Sequence, residues 1–290
     1  MLWGLFPLYF HLLAGVSPVE VVANRVVWSL VFLAILTTVT RSWARTVAVT
    51  RSPKALALLG IAAAFLAVNW GFYVYAVATN QVVEASLGYF INPLVSVALG
   101  VLLLRERLRR AQWVAVGIAV LAVGVLAVSY GRLPWISLVL AVSFGVYGLI
   151  KKQVGSGSVE SLTIETAVLA PLALGVMVAM AALGTASFTG GGVGTASLLV
   201  LLGPITAIPL LAFGGAATRI PLSTLGLMQY FTPVLQFLLG VLVFGEAMPP
   251  LRWAGFGLVW LSLAVMSIDG LRNARNGRRP SDALEVIEPD

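Results

Sequence analysis

The side chains of this sequence that could do chemistry are polar groups set into long apolar runs. Between 82 and 104, Tyr89, Pro93, Ser96 and Gly100 recur at i, i+4, i+7 and i+11, on one face of a helix. Between 224 and 244, Gln229, Pro233, Gln236 and Gly240 repeat that spacing, and Asn92 and Tyr230 flank the two stripes. The run 55–79 and the residues just after it add Asn69, Tyr73 and Asn80 on one face, with Trp70 beside them. The chemistry on offer is recognition: amides orient polar groups of a small solute, and aromatic rings give it stacking area. Proline lacks an N–H and frees the carbonyl one turn back, so Pro93 and Pro233 can bare backbone acceptors; Pro204 and Pro209 do the same within 197–216. We read these four prolines as kinks or hinges. We read Asn69, Trp70, Tyr73, Tyr89, Asn92, Gln229, Tyr230 and Gln236 as the walls of a binding cavity. The competing reading is packing, because Ser, Gly and Gln also join helices and a proline can simply bend one. Packing is the commoner role for any one of these residues; the whole set, with its aromatic walls, argues for a cavity.

Other chemistries are excluded by what the chain lacks. It has no cysteine and one histidine, His11, so neither disulfides nor a Cys- or His-rich metal site can form, and no metal or cofactor is expected. No G-x-x-x-x-G-K-[ST], H-E-x-x-H or G-x-S-x-G occurs, which argues against a P-loop ATPase and the common hydrolases. An intramembrane enzyme would need a nucleophile–base pair or paired acids at one depth, and neither is found. His11 could relay protons, but a lone histidine near a helix end is more often solvated or hydrogen-bonded.

The elements that hold these groups follow from composition. The 290 residues are 60% hydrophobic and 10% charged, against about 45–50% and 25% in soluble domains. A bilayer is therefore the expected solvent. Ten apolar runs are long enough, or nearly so, to form membrane helices: 1–16, 19–39, 55–79, 82–104, 111–130, 134–150, 162–183, 197–216, 224–244 and 253–268. The first would reach only about 24 Å at 1.5 Å per residue, short of a hydrocarbon core of roughly 30 Å, so either the run starts upstream or its helix begins inside the membrane. No cleavable signal peptide is expected. The net charge of +7 does not point to nucleic acid, because the charges sit in short loops. Fifteen of the 18 basic residues, including Arg41, Arg45, Arg105, Lys151, Arg219 and Arg272, follow the second, fourth, sixth, eighth and tenth runs; Arg132 and Arg252 lie in the opposite loops. The positive-inside bias puts both termini in the cytoplasm of a multi-pass plasma-membrane protein. The tail 271–290, basic and then acidic, is expected to be a disordered cytoplasmic segment anchored by its arginines.

One apolar phrase occurs twice. GYFINPLVSVALGVLLLRERLRRAQWVAVG, from Gly88, and MQYFTPVLQFLLGVLVFGEAMPPLRWAGFG, from Met228, match without a gap at an offset of 140. Pro93, Gly100, Glu106, Trp113 and Gly117 answer to Pro233, Gly240, Glu246, Trp253 and Gly257. The unit is five runs long, and an odd number sends the second copy in from the opposite face. The expected fold is therefore an all-α integral membrane protein of ten helices in two inverted repeats, 1–130 and 131–270, with kinked helices meeting at a midplane site.

Depth then suggests an ion pair. Arg25 lies about 10 Å along the second run from its outer end, and Glu84 opens the fourth run on the same side. A guanidinium at that depth needs an acceptor, so an Arg25–Glu84 pair is expected to brace or gate the outer side of the cavity. The alternative is that Arg25 snorkels and Glu84 is hydrated. Glu20 and Glu165 are expected near interfaces, where solvation or snorkelling suffices.

Four stretches resemble the RarD branch of the EamA-type drug/metabolite transporter superfamily: EASLGYFINPL from Glu84, LPWISLVLAVSFGVYGL from Leu133, GPITAIPLLAFGGAATRIPLSTLGLMQY from Gly203 and FGEAMPPLRWAGFGLVW from Phe244. The resemblance covers nearly the whole chain. It implies ten helices in two inverted halves and movement of small organic molecules without ATP. The chain departs from the pattern at Phe10-His11, where members usually carry a Trp-Lys-like pair. The expected activity is thus secondary transport of small organic metabolites or drugs by alternating access; the rival is a non-transporting scaffold or receptor. Expected partners are a small-molecule substrate and the lipid bilayer, with no nucleic acid, and a homodimer is compatible with the composition.

Overall fold

The computed structural model describes residues 2–104, 109–217 and 231–276. Among them every regular element is helical. A 3₁₀ turn, Leu2–Leu5, leads into α1 (Phe6–His11), followed by α2 (Pro18–Val39), α3 (Trp43–Thr50), α4 (Pro53–Ala78), α5 (Val82–Leu104), α6 (Arg110–Tyr130), α7 (Trp135–Val154), α8 (Ser158–Ala182), α9 (Ser187–Gly190) and α10 (Gly192–Ala217). After the undescribed stretch come α11 (Phe231–Leu238), extended by a π turn over Leu239–Val243, and α12 (Pro250–Asn276).

Six helical stretches are long and apolar enough to cross a membrane, those of α2, α4, α6, α8, α10 and α12, and shorter apolar helical stretches occupy Val82–Val95, Trp135–Lys151 and Phe231–Val243. Their residue pattern is inverted relative to a soluble protein. On α2, Val21, Arg25, Ser29, Leu33 and Thr37 form an i, i+4 ladder that is buried, while Val19, Val31, Ile35 and Val39 are exposed. On α8, Ser161 and Glu165 are buried while Val168, Leu172 and Val178 are exposed. Apolar groups outside and polar groups inside suit a hydrocarbon solvent, where a polar group is stable only against protein partners.

Three positions differ from expectation. The loop after the second run contains α3, which Arg45 ties to Glu160 at 2.9 Å. The tail begins as helix, since α12 runs to Asn276; the rest of the tail lies outside the described residues. The first run forms only the 3₁₀ turn and the six-residue α1.

The helices form two compact units. One contains α1–α5 and α7–α11; the other contains α6 and α12. The units thus draw elements from both sides of the repeat boundary expected at 130/131. In the smaller unit Gly255 lies against Leu126, the Ser262 hydroxyl donates to the Ala115 carbonyl at 2.6 Å, and Arg109 pairs with Asp269 at 2.8 Å. In the larger unit α2 packs on α8 and α10, α5 packs on α7 and α11, and α4 packs on α7.

Buried or half-buried carboxylates fix several helix starts in the larger unit. Glu246 accepts from the amides of Val82 at 2.5 Å and Val83 at 3.1 Å, the first residues of α5. Glu84 accepts from Ile136 at 3.2 Å, at the start of α7. Glu20 accepts from Ser187 at 3.0 Å and Phe188 at 2.8 Å, at the start of α9. A helix N-terminus offers N–H groups without intrahelical partners, and a carboxylate satisfies both the donors and the local dipole. Glu20 is therefore not solvated at an interface as expected: it is buried because the backbone donors of α9 replace water.

Candidate functional site

Within the larger unit one cavity is lined by seven helices and gathers polar groups from four of them. α4 contributes Asn69, Trp70 and Tyr73; α5 contributes Tyr89 and Asn92; α11 contributes Thr232, Pro233 and Gln236. Arg25 enters from α2, Phe144 from α7 and Leu210 from α10, and Trp3 and Phe6 close one side. The i, i+4 and i+3 spacings account for this locally, since Asn69/Tyr73, Tyr89/Asn92 and Thr232/Gln236 each share a helix face. Six of the eight expected wall residues thus line one space; Gln229 and Tyr230 lie outside the described residues.

The walls divide into braced and open groups. Asn69 is fully engaged: its amide nitrogen donates to the Leu140 carbonyl and the Ser143 hydroxyl, each at 3.1 Å, and its oxygen accepts from the Tyr89 hydroxyl at 3.2 Å. It ties α4 to α5 and α7. The Gln236 amide nitrogen donates to the Trp3 carbonyl and the Tyr73 hydroxyl, each at 3.0 Å, joining α11 to the N-terminal turn and to α4. Tyr73, Tyr89, Phe144 and Trp3 form a chain of ring contacts with centroids 5.8, 6.1 and 6.4 Å apart. Three buried polar atoms on the walls have no partner among the described residues: Nη1 of Arg25, Oδ1 of Asn92 and Oε1 of Gln236. The cavity, about 60 Å³, has room for a few water molecules.

The Arg25–Glu84 pair expected from depth is not formed. Arg25 Nε donates to the Thr206 hydroxyl of α10 at 2.8 Å, and its guanidinium stacks 4.3 Å from the Trp70 ring centroid, with Phe6 and Phe10 at 5.5 and 5.7 Å. Glu84 faces the start of α7. Similar depth does not give a shared azimuth: the two side chains leave their helices toward different neighbours. Arg25 is a wall of the cavity, a role outside the polar stripes read from spacing.

Glu165, expected near an interface, is also buried. Lys151 Nζ donates to it at 2.8 Å and to the Ser161 hydroxyl, and the Tyr147 hydroxyl donates to its other oxygen at 3.2 Å. Lys151 was expected as a loop cation; α7 continues through it to Val154 and swings the ammonium onto α8. His11 is exposed, its ring 5.2 Å from that of Phe244, and lines no part of the cavity. Of the expected hinges, Pro233 lines the cavity, Pro93 lies inside α5, and Pro204 and Pro209 lie inside α10, which remains one helix through both. Pro171, inside α8, went unremarked. No group of three or more His, Cys, Asp and Glu among the described residues could hold a metal ion.

Comparison with known proteins places this architecture. Residues 1–128 match the EamA-like transporter family. Protein RarD of Streptomyces exfoliatus is 55% identical over 282 residues, covering 97% of this chain and 90% of the relative. An uncharacterized transporter of Vibrio cholerae serotype O1 is 41% identical over 278 residues, covering 96% and 92%. A protein of solved crystal structure, 22% identical, superposes with a TM-score of 0.60 over 93% of this chain and 94% of its own. The chain belongs to the EamA-like transporter family, in its RarD branch, and is a multi-pass membrane transporter.

Proposed function

We propose that this RarD-branch protein is a secondary, ATP-independent carrier of small organic metabolites or drugs in the plasma membrane, working by alternating access around the cavity described above. One observation carries the reading. The walls come from α1, α2, α4 and α5, before residue 131, and from α7, α10 and α11, after it, which supports a site between two duplicated halves. Rocking one half against the other would open such a site to either face in turn. Asn92 and Gln236, with their unpartnered oxygens, would orient the solute, and the aromatic walls would enclose its body.

The ten-helix, inverted-repeat arrangement is part of the same proposal. Positions offset by 140 take matching partners: α2 packs on α8 and α5 on α11 in one unit, and α6 packs on α12 in the other. Glu160 of α8 pairs with Arg45 of α3, which follows α2; its counterpart Glu20 of α2 binds the backbone of α9, which follows α8. Two-fold related halves would produce such reciprocal contacts.

Solute counterflow in proteoliposomes tests the transport reading. Asn92→Ala and Gln236→Ala are each expected to lower exchange about two- to tenfold, the worth of one hydrogen bond of about 0.5–1.5 kcal/mol, with expression unchanged. Normal exchange by both variants over a broad solute panel would make these packing residues. Topology is tested separately, because the natural chain has no cysteine. Ala44 and Ala247 are both exposed. In intact cells an impermeant maleimide should label Ala247→Cys and spare Ala44→Cys, and equal labelling would sink the inverted arrangement.

A further inference from the structure

We propose that the cavity selects monoanionic organic solutes, a carboxylate on an aromatic or similarly flat apolar body, and that Arg25 is the residue that binds the carboxylate. The inference rests on the transport reading above and adds the charge class of the substrate.

Arg25 is the one charged residue among the thirteen described cavity walls. It is 3% exposed and sits a third of the way along a membrane-length helix. Its contacts are a neutral hydroxyl and three aromatic rings, with no carboxylate among them. Glu84, the acid nearest in depth by sequence, is turned to the start of α7. The fork is therefore held by Nε on Thr206 and by its flat face on Trp70, while Nη1 has no acceptor among the described residues. That is the geometry of a cation positioned for another molecule. Two of its degrees of freedom are fixed by the protein, and a donor edge is left for a planar acceptor.

The rest of the lining fits the same substrate. A guanidinium meets a carboxylate through parallel N–H donors, which gives direction as well as charge. With a single cation and no anion among the described wall residues, a monoanion neutralises the site, whereas a dianion leaves it negative and an amine meets repulsion. Trp3, Tyr73, Tyr89 and Phe144 present ring faces and edges for an aromatic body. Oδ1 of Asn92 and Oε1 of Gln236 offer acceptors to a further polar substituent. A phenylpropionate-sized solute exceeds a cavity of about 60 Å³, so its binding must accompany separation of the walls, as alternating access requires.

The test uses the purified full chain in proteoliposomes, with counterflow of radiolabelled 3-phenylpropionate and competition by two matched molecules, 3-phenylpropanamide and 3-phenylpropylamine. The acid should exchange. The neutral amide should compete at least about tenfold more weakly, and the amine should compete least. This comparison is made within the natural protein and does not depend on any variant folding. Arg25→Gln should then lose exchange of the acid while counterflow of radiolabelled 3-phenylpropanamide is no weaker than in the natural protein, and Arg25→Lys should keep part of the acid exchange. Competition by the amide or amine equal to that of the acid, or wild-type acid exchange by Arg25→Gln, would overturn the proposal. A panel of neutral and cationic solutes separates the two readings. If those exchange and the acids do not, the carrier stands and the anion preference falls. If no solute of any charge exchanges, both fall.

Discussion

Glu165→Leu is expected to destabilise the protein by about 3–5 kcal/mol, the cost of leaving one member of a buried ion pair without the other. The carboxylate is fully buried, and the Lys151 ammonium that would be stranded is only partly accessible. The loss extends beyond one contact, because Tyr147 also loses its acceptor and the tie between α7 and α8 goes with it. Lys151→Met should cost a comparable amount, since it leaves an unpaired carboxylate in the interior. The double variant Lys151→Met/Glu165→Leu should recover most of the loss. A buried pair often contributes little over apolar groups of similar volume once both charges are gone. Unfolding in mixed micelles, followed for the wild type, both single variants and the double variant, gives the coupling directly. Additive losses in the double variant would show that the two residues stabilise the fold independently.

Gly203→Val is expected to prevent accumulation of folded protein. At Gly203 α10 crosses α2 so closely that a Cβ would overlap the carbonyl of Trp28, and the Ser29 hydroxyl donates to the Gly203 carbonyl at 3.3 Å across the same crossing. The obstacle is backbone, which no rotamer change can move, so α2 and α10 would have to separate. Small residues let membrane helices approach this way, and overfilling a packed contact costs about 1–3 kcal/mol or more. Separation would also pull Thr206 from Arg25, one turn along the same two helices. Gly71→Val on α4 is the control, because a Cβ there meets nothing within 4 Å. Folded yield by size-exclusion profile in detergent should fall sharply for Gly203→Val and little for Gly71→Val. Equal yields would mean that the α2–α10 crossing tolerates a wider separation.

Much of the site was legible in the sequence because the relevant signals are local. Hydropathy identified helices for a hydrocarbon solvent, and a period of 3.6 residues decides which side chains share a face. Asn69 and Tyr73 share a face by that period, Asn92 flanks the stripe that Tyr89 opens, and all four line one cavity. The duplicated phrase likewise needed only the residue order. Tertiary structure decided the partners. Rise per residue gives the depth of Arg25 and of Glu84, but the direction in which each side chain leaves its helix has meaning only relative to neighbouring helices, and those place Arg25 on Thr206 and Trp70 and Glu84 on the start of α7. Glu20 and Glu246 were hidden for a related reason: their partners are backbone N–H groups of α9 and α5, and every residue but proline carries one, so residue types do not mark the pairing. Lys151 was read as a loop charge because a basic residue at the end of an apolar run looks the same whether it meets water or a buried carboxylate on the next helix.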